Sequence, residues 1–370
     1  MAPKQRLLTP GPLTTPERVR RAMLRDWGSR NPDFIELNRE VLERLVGLIG
    51  GSADFVAVPM QGSGTFAVEA MLGTLVPRDG KLLVLVNGAY GGRMVEMARR
   101  MGREVVAIED AEDRPSDTVR LQEVLAEDPA ISHVAAVHCE TTSGILNPLD
   151  EIASITARHG RELLIDAMSA FGALPLDARR TRFTAVAASA NKCLEGVPGL
   201  GYVLVRADAL AGAEGHCHSL ALDLAAQHEA MRRNGQWRFT PPTHVLAAFQ
   251  EALVLHAEEG GIEGRRRRYA TNCRILVDGM RRLGFEPLLP AELQAPIIVT
   301  FRMPRDPAFD FTRFYDHLAA RGFVIYPGKL TVAPSFRIGC IGALDAGDMR
   351  EALAAIAATL QELGVESGRP

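Results

Sequence analysis

At 370 residues, with 47% hydrophobic and 24% charged side chains, the chain has the make-up of a globular protein of two-domain size whose core requires no disulfide or metal. A net charge of −3 excludes the basic excess of a nucleic-acid binder, and no apolar run approaches the roughly 20 residues of a membrane helix. The five cysteines (Cys139, Cys193, Cys217, Cys273, Cys340) form no CxxC pair and the first residues lack the apolar core of a signal peptide, so the expected compartment is a reducing cytoplasm.

Residues 1–16 hold four prolines and Gly11 and read as an extended arm. A helix is expected after Thr15-Pro16, and a second over Phe34 to Ile49, where Phe34, Leu37, Val41, Leu45 and Leu48 keep helical spacing up to Gly50-Gly51. From Phe55 to Val205 the pattern alternates. Apolar strands are predicted at 55–58, 82–86, 105–108, 133–138, 162–165, 184–188 and 202–205, with helices between most of them. Such alternation predicts an α/β fold with a mostly parallel seven-stranded sheet covered on both faces, and ligands in such sheets gather at the carboxyl ends of the strands. Helices follow at 243–258 and 264–283, the latter opening on Arg265-Arg266-Arg267-Arg268, which reads as a solvated face rather than an anion site. Strands at 297–302, 323–326 and 336–338 and helices at 311–321 and 346–363 complete a smaller α+β unit. The expected division is an arm (1–16), a large domain (17–260) and a small C-terminal domain (261–370).

Three features carry chemistry. Gln61-Gly-Ser-Gly-Thr-Phe-Ala67 follows a strand and opens a helix; small residues there let backbone N–H groups close on a phosphate, with Ser63 and Thr65 adding hydroxyls. A strand-to-helix turn with an ordinary cap is the bland alternative. The turn also matches the dinucleotide fingerprint, which leaves a nucleotide-binding oxidoreductase open, but the next strand ends in Asn87 where that fingerprint wants an acid. Asp166 ends the hydrophobic run from Glu162, and Lys192 follows the small apolar run Ala185 to Ala190. Desolvation makes a lysine amine a usable nucleophile toward a carbonyl, although a lysine at a strand end can also simply snorkel to water. A phosphate cradle, an acid and a lysine on successive strand ends are the groups that pyridoxal 5'-phosphate needs: an anchor, a partner for its ring nitrogen and a Schiff-base amine. His216-Cys217-His218 has too few donors for a metal site by itself and reads as a loop histidine pair, and His133 and His138 read as polar strand-end residues.

The motifs Gly62-Ser-Gly-Thr65, Glu140-Thr-Thr-Ser-Gly144, Asp166-Ala-Met-Ser169, Ser189-Ala-Asn-Lys192 and Ser335-Phe-Arg-Ile-Gly339 resemble those of class V aminotransferases of pyridoxal fold type I, over nearly the whole chain. Leu7-Leu-Thr-Pro-Gly-Pro12, Trp237-Arg-Phe-Thr240 and Val324-Ile-Tyr-Pro-Gly-Lys329 are similar to the branch that transfers an amino group from 2-aminoethylphosphonate to pyruvate. The resemblance implies that Lys192 holds the cofactor and Asp166 its ring nitrogen, while Ser63, Gly64, Thr65 and Ser189 take its phosphate. It further implies that Tyr90 stacks on the ring, Thr141 lies near the phenolic oxygen, and Arg337 grips the substrate carboxylate, where a structural salt bridge is the alternative. Thr240 would reach the phosphate in the neighbouring subunit of a homodimer. The activity implied is a transaminase of phosphonate degradation, giving phosphonoacetaldehyde and alanine; an alanine–glyoxylate or serine–pyruvate transaminase and a non-catalytic pyridoxal binder are the other readings.

Overall fold

The computed structural model describes residues 5–51, 53–330 and 333–370. Its largest feature is a seven-stranded sheet in the spatial order Phe55–Gln61, Leu200–Arg206, Ala185–Ser189, Glu162–Asp166, Ile131–Val137, Lys81–Val86, Glu104–Glu109. Leu200–Arg206 runs antiparallel to both its neighbours, and the remaining pairings are parallel. These strands are apolar nearly throughout because both faces are covered. Alternate residues feed two different cores: Leu83, Val134, Leu163, Val186 and Leu204 pack on one face, and Leu82, Val84, Leu164, Ala187 and Val203 on the other.

A shared strand direction has a consequence for function. It brings the residues after Gln61, Val86, Val137, Asp166 and Ser189 to one edge of the sheet, although they are separated by more than a hundred positions in sequence. The helix Gly64–Leu75 starts at that edge, and Gly62 is fixed there by its N–H donating to the Gly199 carbonyl at 3.0 Å.

A second sheet of three strands, in the order Ile298–Arg302, Ser335–Gly339, Tyr326–Pro327, is antiparallel throughout. It packs with the helices Gly261–Arg282, Phe311–Ala320 and Ala346–Leu363 around a phenylalanine-rich core of Phe285, Phe301, Phe314 and Phe336. The N-terminal arm joins this unit: Arg6–Leu7 pairs in parallel with Phe323–Val324, and the Leu8 carbonyl accepts from the Gly339 N–H at 2.9 Å. The arm then crosses to the edge of the large sheet.

Several expectations need correction. Lys192 does not end its strand, which stops at Ser189; the chain turns there because Gly196 N–H bonds back to the Ala190 carbonyl at 2.8 Å, leaving Lys192 in the loop. The expected strand over 323–326 is split at the buried Ile325, one part pairing with the arm and the other with Ser335–Gly339. A helix at Leu224–Asn234 was not anticipated, yet its limits are written in the chain by the Asp223 cap, which accepts from Ala226 N–H at 3.0 Å, and by the left-handed Gly235. His133 and His138 are buried, and burial lowers both imidazoles to about 4, so they are neutral near pH 7.

The arginine run is the largest departure. Arg266 is exposed and pairs with Glu263, as a solvated face requires, but Arg265 is 1% exposed. Arg265 donates to the Cys193 carbonyl; it also pairs with Glu259, and Arg268 with Glu195 and Glu259, these three ion pairs each at 2.8 Å. The Tyr269 hydroxyl donates to the same Glu195 carboxylate at 2.6 Å and accepts from Gly342 N–H at 3.1 Å. Arg265 and Arg268 thus hold the loop after Lys192 against the helix Gly261–Arg282.

Candidate active site

At the carboxyl edge of the large sheet lies a cavity of about 380 Å³, lined among others by Ser63, Gly64, Thr65, Tyr90, Asp166, Ser189 and Lys192. Ser63 is the N-cap residue of its helix, but its hydroxyl makes no capping bond. Thr65 Oγ1 accepts from Arg93 at 3.2 Å. A side chain on Gly64 would meet the Met168 sulfur at 2.2 Å, so glycine here lets Met168 lie close against the helix start. The Ser189 hydroxyl lines the cavity, buried without a hydrogen-bond partner among the described residues.

Asp166 is buried, and its Oδ1 accepts from Met168 N–H at 2.9 Å. Burial pushes its carboxyl up to about 6, against the pull of that hydrogen bond. The Lys192 amine donates to the Pro10 carbonyl of the arm at 2.5 Å. Burial lowers it from the ordinary lysine value, which raises the share of the nucleophilic neutral form. Gly11, with φ +129°, is required here, since a Cβ would fall 2.2 Å from Lys192 Nζ. The arm therefore closes the cavity over the lysine.

Tyr90 opens the helix Ala89–Arg100, and its N–H donates to Glu140 Oε2 at 3.0 Å. Glu140 is fully buried and also accepts from the N–H of Gly91 and from the N–H and hydroxyl of Thr142. It thereby fastens the first turn of that helix to the Thr141 segment. The Tyr90 hydroxyl bonds the Thr141 side chain and faces Arg337. Burial would raise this phenol, but the Thr141 bond and the charges of Lys329 and Lys192 bring it below its ordinary value. Arg337 is buried beside Tyr90; its Nε donates to the Pro327 carbonyl at 3.1 Å and another nitrogen to the Thr141 carbonyl at 3.0 Å. Neither bond is to a carboxylate, so the guanidinium is held by backbone and keeps its charge for another anion.

Seven of the expected residues line the one cavity, and Thr141 and Arg337 join it through Tyr90. Thr240 does not: it is exposed, in the segment before the helix Thr243–Glu258. Sequence reasoning assigned no role to Glu140, Arg93, Lys329 or the Pro10 carbonyl. Glu140 had a signal, an acid among small residues in a stretch otherwise apolar, while the others are recognised only by what they touch. The oxidoreductase reading loses its remaining support: the Asn87 side chain donates to the Arg114 carbonyl at 2.9 Å and to Asn147 at 2.8 Å, and is buried away from any ribose. Among the described residues no His, Cys, Asp and Glu group is arranged to hold a metal, and no helix is long and apolar enough to cross a membrane.

Residues 27–340 match the family Aminotransferase class-V, and the chain belongs to that family. Its relatives include the 2-aminoethylphosphonate–pyruvate transaminases of Pseudomonas aeruginosa, 56% identical with 97% of each chain covered, and of Pseudomonas putida, 56% identical with 97% of this chain and 98% of the relative covered. Among solved structures, ureidoglycine-glyoxylate aminotransferase from Bacillus subtilis superposes with a TM-score of 0.91 at 24% identity, covering 99% of this chain and 95% of the other. Pyridoxamine-pyruvate aminotransferase from Mesorhizobium loti gives 0.90 at 24% identity with the same coverage. These likenesses establish the fold-type-I aminotransferase architecture. The family implies pyridoxal 5'-phosphate, and the cavity fits it: an unpartnered serine hydroxyl and a glycine-walled helix start at one side, a buried acid and a buried lysine amine at the other.

Proposed function

We propose that this protein transfers the amino group of 2-aminoethylphosphonate to pyruvate, giving phosphonoacetaldehyde and alanine. The observation that carries the reading is 56% identity, across 97% of the chain, to transaminases of that name, combined with a cavity that fits the cofactor. Pyridoxal phosphate supplies an electron sink that acidifies the carbon bearing the donor's amino group. The chain's own residues do the rest. Ser63, Gly64, Thr65 and Ser189 hold the phosphate by hydroxyl and backbone N–H donors at a helix start. Asp166 would keep the ring nitrogen protonated, with Tyr90 and Thr141 as further residues that would hold the ring. Lys192 would hold the cofactor through its amine and would be the base that moves the proton. Arg337 receives the substrate anion.

The same reading makes the protein a cytoplasmic homodimer in which Thr240 of one subunit reaches the cofactor phosphate of the other. Its support is the exposure of Thr240 and of two large apolar side chains, Phe66 beside the cradle and Phe239 beside Thr240, at 48% and 49%. It also divides the chain into an arm (1–16), a cofactor-holding unit (17–260) and a smaller unit (261–370), a division favoured by the separate phenylalanine-rich core. The test is an amino-donor panel with pyruvate as acceptor: alanine should form with 2-aminoethylphosphonate in preference to serine and other 2-amino acid donors. Preference for serine or for a glyoxylate acceptor overturns the substrate assignment. A protein without a borohydride-sensitive visible band overturns the cofactor chemistry as well.

A further inference from the structure

We propose that Lys329 is a second cation of the substrate pocket, reading the phosphonate of the amino donor, whereas Arg337 serves donor and acceptor alike. The inference rests on the functional reading above and adds a specificity-determining residue to it. Pyruvate presents a planar carboxylate with a single charge, which one guanidinium edge can satisfy. A phosphonate resembles a phosphate monoester in its three acceptor oxygens, and unlike a carboxylate it can carry a second negative charge. Arg337 has already committed two of its nitrogens to the carbonyls of Pro327 and Thr141. A second charge has to come from elsewhere, because a buried anion left uncompensated is costly.

Two further cations approach the Tyr90 ring. Arg93 lies 5.0 Å from its centroid but donates to Thr65 Oγ1, which assigns it to the cofactor-phosphate side. Lys329 Nζ lies 4.5 Å from the same centroid, on the segment that follows Tyr326–Pro327. That segment is fastened to the strand carrying Arg337: Tyr326 is the register partner of Arg337, and Gly328 N–H donates to the Ser335 carbonyl at 2.9 Å. A Cβ on Gly328 would meet Ser335 Oγ at 2.1 Å, so the chain can approach this closely only with glycine there. Arg337 itself holds Pro327, so the two cations are mechanically linked. Among the described residues Lys329 makes no ion pair; it rests on an aromatic face, a contact weaker than a charge-assisted hydrogen bond to a phosphonate oxygen. Its half-buried, unbranched side chain has the reach to make that exchange.

The test uses the cofactor-loaded protein and its Lys329→Met and Lys329→Arg variants. Equilibrium binding of unreactive ethylphosphonate and of acetate is read by calorimetry, and the two half-reactions are followed separately by single-turnover spectroscopy. Loss of one charge-assisted contact should weaken ethylphosphonate binding and kcat/KM for 2-aminoethylphosphonate by roughly 10- to 100-fold in Lys329→Met. Acetate binding and the pyruvate half-reaction should change by no more than about 3-fold on the same reasoning, and Lys329→Arg should regain most of the phosphonate affinity. Equal losses for both anions would mean that Lys329 merely supports Tyr90, and unchanged phosphonate binding would mean that it takes no part; either result overturns the inference. A wild-type protein that ignores 2-aminoethylphosphonate overturns the functional reading first, and the inference with it.

Discussion

Replacing Asp166 by asparagine should stabilise the cofactor-free protein while abolishing most of its turnover. The carboxyl is buried and its pKa is raised from 3.8 to about 6. For an acid raised in the folded state, the sign is destabilising. The penalty is absent below the unfolded value, grows as pH rises between the two values, and is complete above about pH 6. At about 1.4 kcal/mol per pKa unit, the ionised carboxylate destabilises the folded protein by about 3 kcal/mol near pH 8, falling to about 1 kcal/mol near pH 4.5. Asparagine keeps an oxygen for the Met168 N–H and carries no charge, so it removes this penalty without removing the hydrogen bond. Urea denaturation midpoints of the cofactor-free wild type and variant, measured at both pH values, give the comparison. The variant should be the more stable at high pH, with the gap shrinking at low pH. A gap that is absent, or that does not change with pH, would refute the assignment of Asp166 as a desolvated carboxylate. The lost turnover follows from chemistry: a neutral amide cannot keep the ring nitrogen protonated.

Lys192→Ala should bind pyridoxal phosphate reversibly, release it on dialysis, and transaminate at no measurable rate; near-normal turnover would remove the basis of the proposed mechanism. Arg337→Lys should slow both half-reactions, because lysine cannot reproduce a fork that bonds two carbonyls and still faces an anion; loss of the pyruvate half alone would give the phosphonate a site of its own. Glu195→Gln should destabilise the protein by about 1–3 kcal/mol, since Arg265, 1% exposed, and Arg268 lose a charged acceptor but keep Glu259. A thermal midpoint unchanged from wild type would contradict that expectation.

What could be read from the sequence, and what could not, follows from where the information lies. Asp166 and the cradle at Ser63 to Thr65 were legible because each terminates or follows a local apolar run, and a parallel sheet collects such ends at one edge. Lys192 is singled out by the same logic, although its strand, expected to end at 188, runs to Ser189 and leaves the lysine in the loop beyond it. The ionic cluster behind it was not legible. Arg265 and Arg268 belong to a run of four identical charges; the buried stripe of Tyr269, Asn272, Leu276 and Met280 extends back to Arg265, but nothing local names the carboxylate that meets it. That carboxylate belongs to Glu195, some seventy positions away, which lies buried at φ +59° in the loop that also carries the Cys193 carbonyl. A non-glycine residue in that conformation is held against a local cost of order 1–3 kcal/mol. The three donors that converge on its carboxylate offset that cost. Because Tyr269 also binds Gly342, any shift of the segment 342–344 is felt by the loop that carries Lys192. The lysine's position is therefore set from two sides: by the Pro10 carbonyl of the arm in front, and by a charge cluster behind that no local pattern announces.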